Sequence, residues 1–155
     1  MIPGSIVFLV ISPFVFFFPA RFLAGLLPLA CSRTVEEVVM VIAGGLALLL
    51  MHWSLIVLWV DGRGTPAPIA PTANLVTTGP YRLLRNPVEL GTDLYFLVLG
   101  TWFDSLLTGM FCLLFGMGLG LGYIKMIEEK ELVLRFGAPY ERYKKKTPLI
   151  IPWLV

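Results

Sequence analysis

The chain has 155 residues, of which 57% are hydrophobic and 14% charged, with a net charge of +2 and a mean hydropathy of +0.85. Ordinary soluble domains carry about a quarter charged residues, so a water-soluble fold of this size would leave apolar surface uncovered, and the solvent has to be lipid. Disorder is excluded by the high hydrophobicity, and the small net charge gives no basis for nucleic-acid binding. Two cysteines, Cys31 and Cys112, lie far apart in apolar sequence and form neither a metal-ligand spacing nor a disulfide framework. Residues 1–20 hold no Lys or Arg, so no cleaved signal peptide is expected.

A helix needs about 20 apolar residues to cross a bilayer core. Residues 2–20 are the first expected span, with Pro13 and Pro19 predicting a kink or an early end near Arg21. Residues 38–60 carry no charge over 23 positions and form the second; His52 within it is expected to be a buried, hydrogen-bonded core residue. A loop of about 29 residues follows at 61–89. Its first part, through Pro66, Pro68 and Pro71, favours extended backbone. Ordered loops of that length in a small protein more often carry function than merely connect elements. Residues 90–103 form a short third span containing Asp93, joined through a tight turn at Asp104 and Ser105 to a fourth span at 105–127, uncharged as far as residue 124. Gly116, Gly118, Gly120 and Gly122 alternate along this span and permit close helix approach, including a homodimer seam.

The tail, 128–155, reads as a cytoplasmic amphipathic segment. Gly137 ends one helix and Pro139 opens another, with Tyr140 and Tyr143 on one face, Lys144, Lys145 and Lys146 following, and an apolar end that includes Trp153. The fold class is therefore all-α: one polytopic transmembrane domain, 1–155, of about four spans, with a C-terminal cytoplasmic amphipathic helix. Four spans gather ten of the twelve basic residues, all but Arg21 and Arg33, on the side that holds the loop and both termini. The positive-inside rule makes that side cytoplasmic, in an inner or plasma membrane.

Few polar residues remain to carry chemistry. Glu128 and Glu129 fall where the last span leaves the bilayer, and a boundary carboxylate needs a partner or water. Lys125 sits four positions before Glu129, and Glu131 four before Arg135, both ordinary helix-face pairs; Glu128 has no such partner. Arg82 and Arg85, three apart, read equally as lipid-phosphate contacts or as a fork for a carboxylate. Asp93 reads either as a cap for the third span or as a group facing a pocket.

These pieces occur in an order that resembles the isoprenylcysteine carboxyl methyltransferase and phospholipid methyltransferase superfamily of small membrane enzymes. The resemblance covers about residues 62–152: Gly79-Pro80-Tyr81-Arg82, then Arg85-Asn86-Pro87 with Gly91 four further on, a helical hairpin ending in Glu128-Glu129, then Leu132, Phe136-Gly137, Tyr140, Tyr143 and a closing proline. It implies a methyltransferase that uses S-adenosylmethionine without a dinucleotide-binding fold, acting on a lipidic or prenylated acceptor of isoprenylcysteine-carboxylate or phospholipid type drawn from the bilayer. Carried over, the cofactor candidates are Tyr81, Arg82, Arg85, Asn86, Pro87, Gly91, Glu128 and Glu129. Arg85, with Glu89 and Asp93 as bases for an ammonium acceptor, are the catalytic candidates. Asn86 stands where histidine is usual and Glu89 where tyrosine or an apolar residue is usual. A sterol-type reductase using NADPH shares part of the pattern, and a non-catalytic accessory protein retaining the scaffold is the remaining alternative.

Overall fold

The computed structural model describes residues 4–64 and 72–150, with side chains from residue 10 onward. Within them the secondary structure is entirely helical: α1 (Gly4–Gly25), α2 (Arg33–Val60), a 3-10 turn (Gly79–Arg82), α3 (Pro87–Phe103), α4 (Leu106–Tyr123), a wide π-turn (Ile124–Glu128), α5 (Glu129–Phe136) and α6 (Ala138–Lys146). The extended reading of residues 65–71 and the interfacial reading of residues 151–155, Trp153 included, lie outside the described residues.

Several boundaries move from their sequence positions. Helix α1 does not stop near Arg21 but runs through both prolines to Gly25. Helix α2 starts five residues early because Arg33, Glu36 and Glu37 form an ion-paired first turn, with Arg33 at 3.6 Å from Glu36 and 3.2 Å from Glu37. Helix α3 starts at Pro87 rather than residue 90 and gains a turn from its proline at the first position. Helicity does not end at residue 127 either: α4 passes through the π-turn into α5, giving one helical run from Leu106 to Phe136. That run and α2 are long and apolar enough to cross a membrane. Along α2, Val41, Leu48, Ile56, Trp59 and Val60 are exposed, a surface that water would not tolerate and acyl chains would. His52 belongs to this outward surface rather than to a buried core.

The chain divides into two units, with α2, α3 and α4 each contributing residues to both. The first comprises residues 1–49 and 91–118. Its core joins Phe16, Ala20, Phe96 and Cys112, with Tyr95, Phe111 and Phe115 against them; the Phe16 and Phe96 rings meet edge to face at 5.4 Å. The expected turn at Asp104 and Ser105 joins α3 to α4. The Thr108 hydroxyl donates to Asp104, the Thr108 N–H donates to the Ser105 hydroxyl, and the Leu106 N–H donates to the buried Glu36 carboxylate at 2.9 Å. Asp93 is buried in this unit. It does not cap α3, since it lies in the second turn, with Phe96 and Gly116 beside it.

The second unit comprises residues 50–90 and 119–155. Its core is Leu58, Val76 and Tyr81, with Val57 and Val88 packed against it. Here the loop returns onto the end of α2. The N–H groups of Ala73 and Asn74 donate to the Gly62 carbonyl at 2.8 and 3.2 Å, and Thr78 donates to the Asp61 carboxylate. The loop then turns through Gly79 at a φ of +57°, where a side chain would meet Val57 and the Trp53 indole. Only glycine satisfies both the conformation and the close approach.

Candidate functional site

The second unit brings the Arg-Asn-Pro turn to the acidic end of the long helical run. Arg85 is the centre. Its guanidinium binds the Glu129 carboxylate, its Nε donates to the Thr147 carbonyl at 2.9 Å, and its backbone N–H donates to the Pro148 carbonyl at 2.8 Å. Asn86 continues the pairing, its N–H donating to the Leu149 carbonyl at 3.1 Å. The C-terminal segment thus lies along the turn and fixes it by backbone bonds. The side chains of Arg85 and Glu129 are 12% and 10% exposed, so this is a buried pair. Lys144 from α6 takes the second oxygen of Glu129. One carboxylate therefore holds two cations from two different segments, an arrangement in which each ion is compensated.

The neighbouring acid is placed differently. Asn86 donates from its side-chain amide to Glu128 at 3.3 Å, while its side-chain oxygen accepts the Glu89 N–H at 3.3 Å and caps α3. Asparagine at this position thus serves as helix cap and as donor to the acid. Glu89, in the first turn of α3, lies against Gly120, where any side chain would overlap its carboxylate. Burial, with the negative charge of Glu128 nearby, pushes the Glu89 carboxyl up to about 7. Pro87 is fully buried at the start of α3.

Tyrosines close the other side. The Tyr143 hydroxyl donates to the Tyr81 carbonyl at 2.5 Å, and the Tyr140 and Tyr143 rings sit 6.3 Å apart on the predicted shared face. Burial raises the hydroxyls of Tyr81, Tyr140 and Tyr143 above the ordinary tyrosine value. All three stay protonated at neutral pH and act as hydrogen-bonding groups rather than charges.

Of the residues singled out in the sequence, Tyr81, Arg85, Asn86, Pro87, Glu89, Glu128 and Glu129 come together here. Arg82 does not join Arg85 in a fork; it is exposed and lines an open groove. Gly91 and Asp93 belong to the first unit. The Lys125–Glu129 pair does not form, because the π-turn closes its ring from the Glu129 N–H to the Ile124 carbonyl and so takes Lys125 and Glu129 off the four-residue stack. The Glu131–Arg135 pair does form, at 3.4 Å. Sequence reasoning missed Lys144 and Thr147. The only signal for Lys144 was a lysine run, which reads first as a membrane contact.

A family profile described as phospholipid methyltransferase matches residues 38–138, which includes the Arg-Asn-Pro turn, both glutamates and α5. The chain belongs to the phospholipid methyltransferase family. No curated protein and no solved structure matches it significantly. In a member of that family the two long apolar helices found among the described residues have a plain meaning: this is a membrane protein. The matched region ends at Ala138, so Tyr140, Tyr143 and Lys144 are contributed by sequence outside it.

Proposed function

We propose that the protein is a membrane methyltransferase that uses S-adenosylmethionine and acts on a lipidic or otherwise hydrophobic acceptor. We place it in the bilayer with about four spans, both termini and the site being cytoplasmic. The observation that carries this reading is the Arg85–Glu129–Lys144 cluster with Glu128 beside it, in a chain of the phospholipid methyltransferase family.

The donor set suits the cofactor. S-adenosylmethionine carries a carboxylate, an ammonium, a sulfonium and ribose hydroxyls, and the cluster offers cations, carboxylates and hydroxyls together. Arg85 and Lys144 are the partners for the carboxylate, and Glu128 for the ammonium or the ribose diol. Tyr140, buried next to Arg85, orients the guanidinium. When bound, the cofactor supplies an electrophilic methyl group, whose bond to sulfur breaks with its electron pair remaining on sulfur as the acceptor's lone pair forms the new bond. The chain's task is alignment and exclusion of water. A carboxylate acceptor requires no base. An amine acceptor arriving as ammonium must first lose a proton, and Glu89, poised near neutrality, is the base we assign; to Asp93 we assign no step.

The test is transfer of a radiolabelled methyl group from S-adenosylmethionine to a bilayer lipid fraction by the purified protein. Label is expected in the lipid phase and falls by two orders of magnitude or more, roughly the loss on removing one positioning ion pair, in Arg85→Ala. Absence of label across lipid extracts, together with absence of cofactor binding by folded protein, overturns the reading.

A further inference from the structure

The lysine run of α6 is not one patch. Lys144 turns to Glu129, whereas Arg142 and Lys146, four apart on one helix face, line a groove of about 430 Å³ together with Arg82, Thr77, Tyr143 and Thr147. The groove is open to solvent. Among the described residues none of Arg82, Arg142 and Lys146 forms an ion pair, although six other cation–carboxylate contacts are made elsewhere in the chain. Three cations converging without an acid repel one another, and their repulsion is relieved by a bound anion. Thr77 and Thr147 line the groove beside them. Tyr143 spends its own hydrogen on the Tyr81 carbonyl, so it walls the groove rather than donating into it. Two planar guanidinium groups and an ammonium lining one space constitute the chemistry that recognises phosphate.

We propose that this groove is a phosphate-binding site, taking a phosphomonoester or phosphodiester either on a lipid headgroup or free in solution. The site does not depend on the methyl-donor reading, because none of Arg82, Arg142, Lys146 and Thr77 belongs to the Arg85–Glu129–Lys144 cluster. Its wall is nevertheless shared with that cluster, since Thr147 lines the groove and gives its carbonyl to Arg85.

The purified chain in a neutral maltoside detergent is titrated with phosphatidylglycerol and the bound lipid counted by native mass spectrometry. In parallel, inorganic phosphate is added as competitor. Wild type retains phosphatidylglycerol, and the double variant Arg142→Gln/Lys146→Gln loses affinity by tenfold or more. Lys145→Gln, which removes the same kind of charge outside the groove, changes it by less than twofold. Competition by millimolar phosphate identifies the phosphate group alone as sufficient; retention despite phosphate identifies the lipid headgroup as the source, and both results support the site. Equal weakening by Lys145→Gln and by the double variant, or unchanged retention in the double variant, overturns it. All three side chains are exposed, so their replacement leaves folding intact, which thermal unfolding of each variant verifies.

Discussion

Arg85 and Glu129 lie 44 positions apart and close one buried ion pair, joining the turn that opens α3 to the start of α5. Because Thr147, Pro148 and Lys144 bind the same two residues, the pair also holds the C-terminal segment in place. Removing the guanidinium leaves Glu129 with Lys144 alone and the Thr147 carbonyl without its donor. Arg85→Ala is expected to lower stability by about 3 kcal/mol, the lower end of what breaking a buried pair costs. Arg85→Lys, which keeps the charge but loses the Nε bond, should cost about 1 kcal/mol. Thermal unfolding in detergent ranks the two.

Glu89 makes stability depend on pH. Its carboxyl stands at about 7 in the folded chain against an ordinary 4.5, so between those values the folded state binds more protons than the unfolded one. Stability present below 4.5 is therefore lost as pH rises through 7, at no more than about 1.4 kcal/mol per pH unit. Glu89→Gln should match wild type only at pH 4 and below and exceed it at pH 8, in unfolding temperature measured across that range. A Glu89→Gln profile parallel to wild type would remove Glu89 as the titrating group.

The four alternating glycines do different work. A side chain at Gly116 would strike the Phe96 ring and Asp93, while Gly118 faces open space. Gly116→Ala is expected to destabilise by about 1–3 kcal/mol through overpacking. Gly118→Ala should gain up to roughly 1 kcal/mol from helix propensity. Gly120→Ala displaces the flexible Glu89 carboxylate, so its signature is a shifted pH profile more than a lost fold. Unfolding midpoints for the three variants separate these outcomes.

Tyr143→Phe deletes the hydroxyl that α6 donates to the Tyr81 carbonyl across 62 positions. The expected loss is about 1 kcal/mol. Hydrogen exchange should show it as earlier opening of the C-terminal segment and of the 3-10 turn, with α4 unchanged.

The sequence made parts of this legible for identifiable reasons. Long uncharged runs located α2 and α4, because lipid admits few charges; the end of α2 at Val60 and the turn at Asp104 and Ser105 fall where charge and small polar residues reappear. The outward placement of His52 was not readable, since core and acyl chains are both apolar and a helix in lipid has no polar face to set its rotation. The π-turn left no compositional mark, and with it went the prediction that Lys125 pairs with Glu129. Spacing rules see neighbours four residues apart, so they found Glu131–Arg135 and were blind to Arg85, Glu129 and Lys144 meeting through the fold.

Direct titration of S-adenosylmethionine into the purified protein tests whether this cluster holds a methyl donor, without any knowledge of the acceptor. Saturable binding, weakened tenfold or more by Glu128→Gln and by Arg85→Ala in chains that remain folded, is the predicted result. Binding that is undetectable at millimolar cofactor with the wild type folded, or that is indifferent to both substitutions, would contradict it.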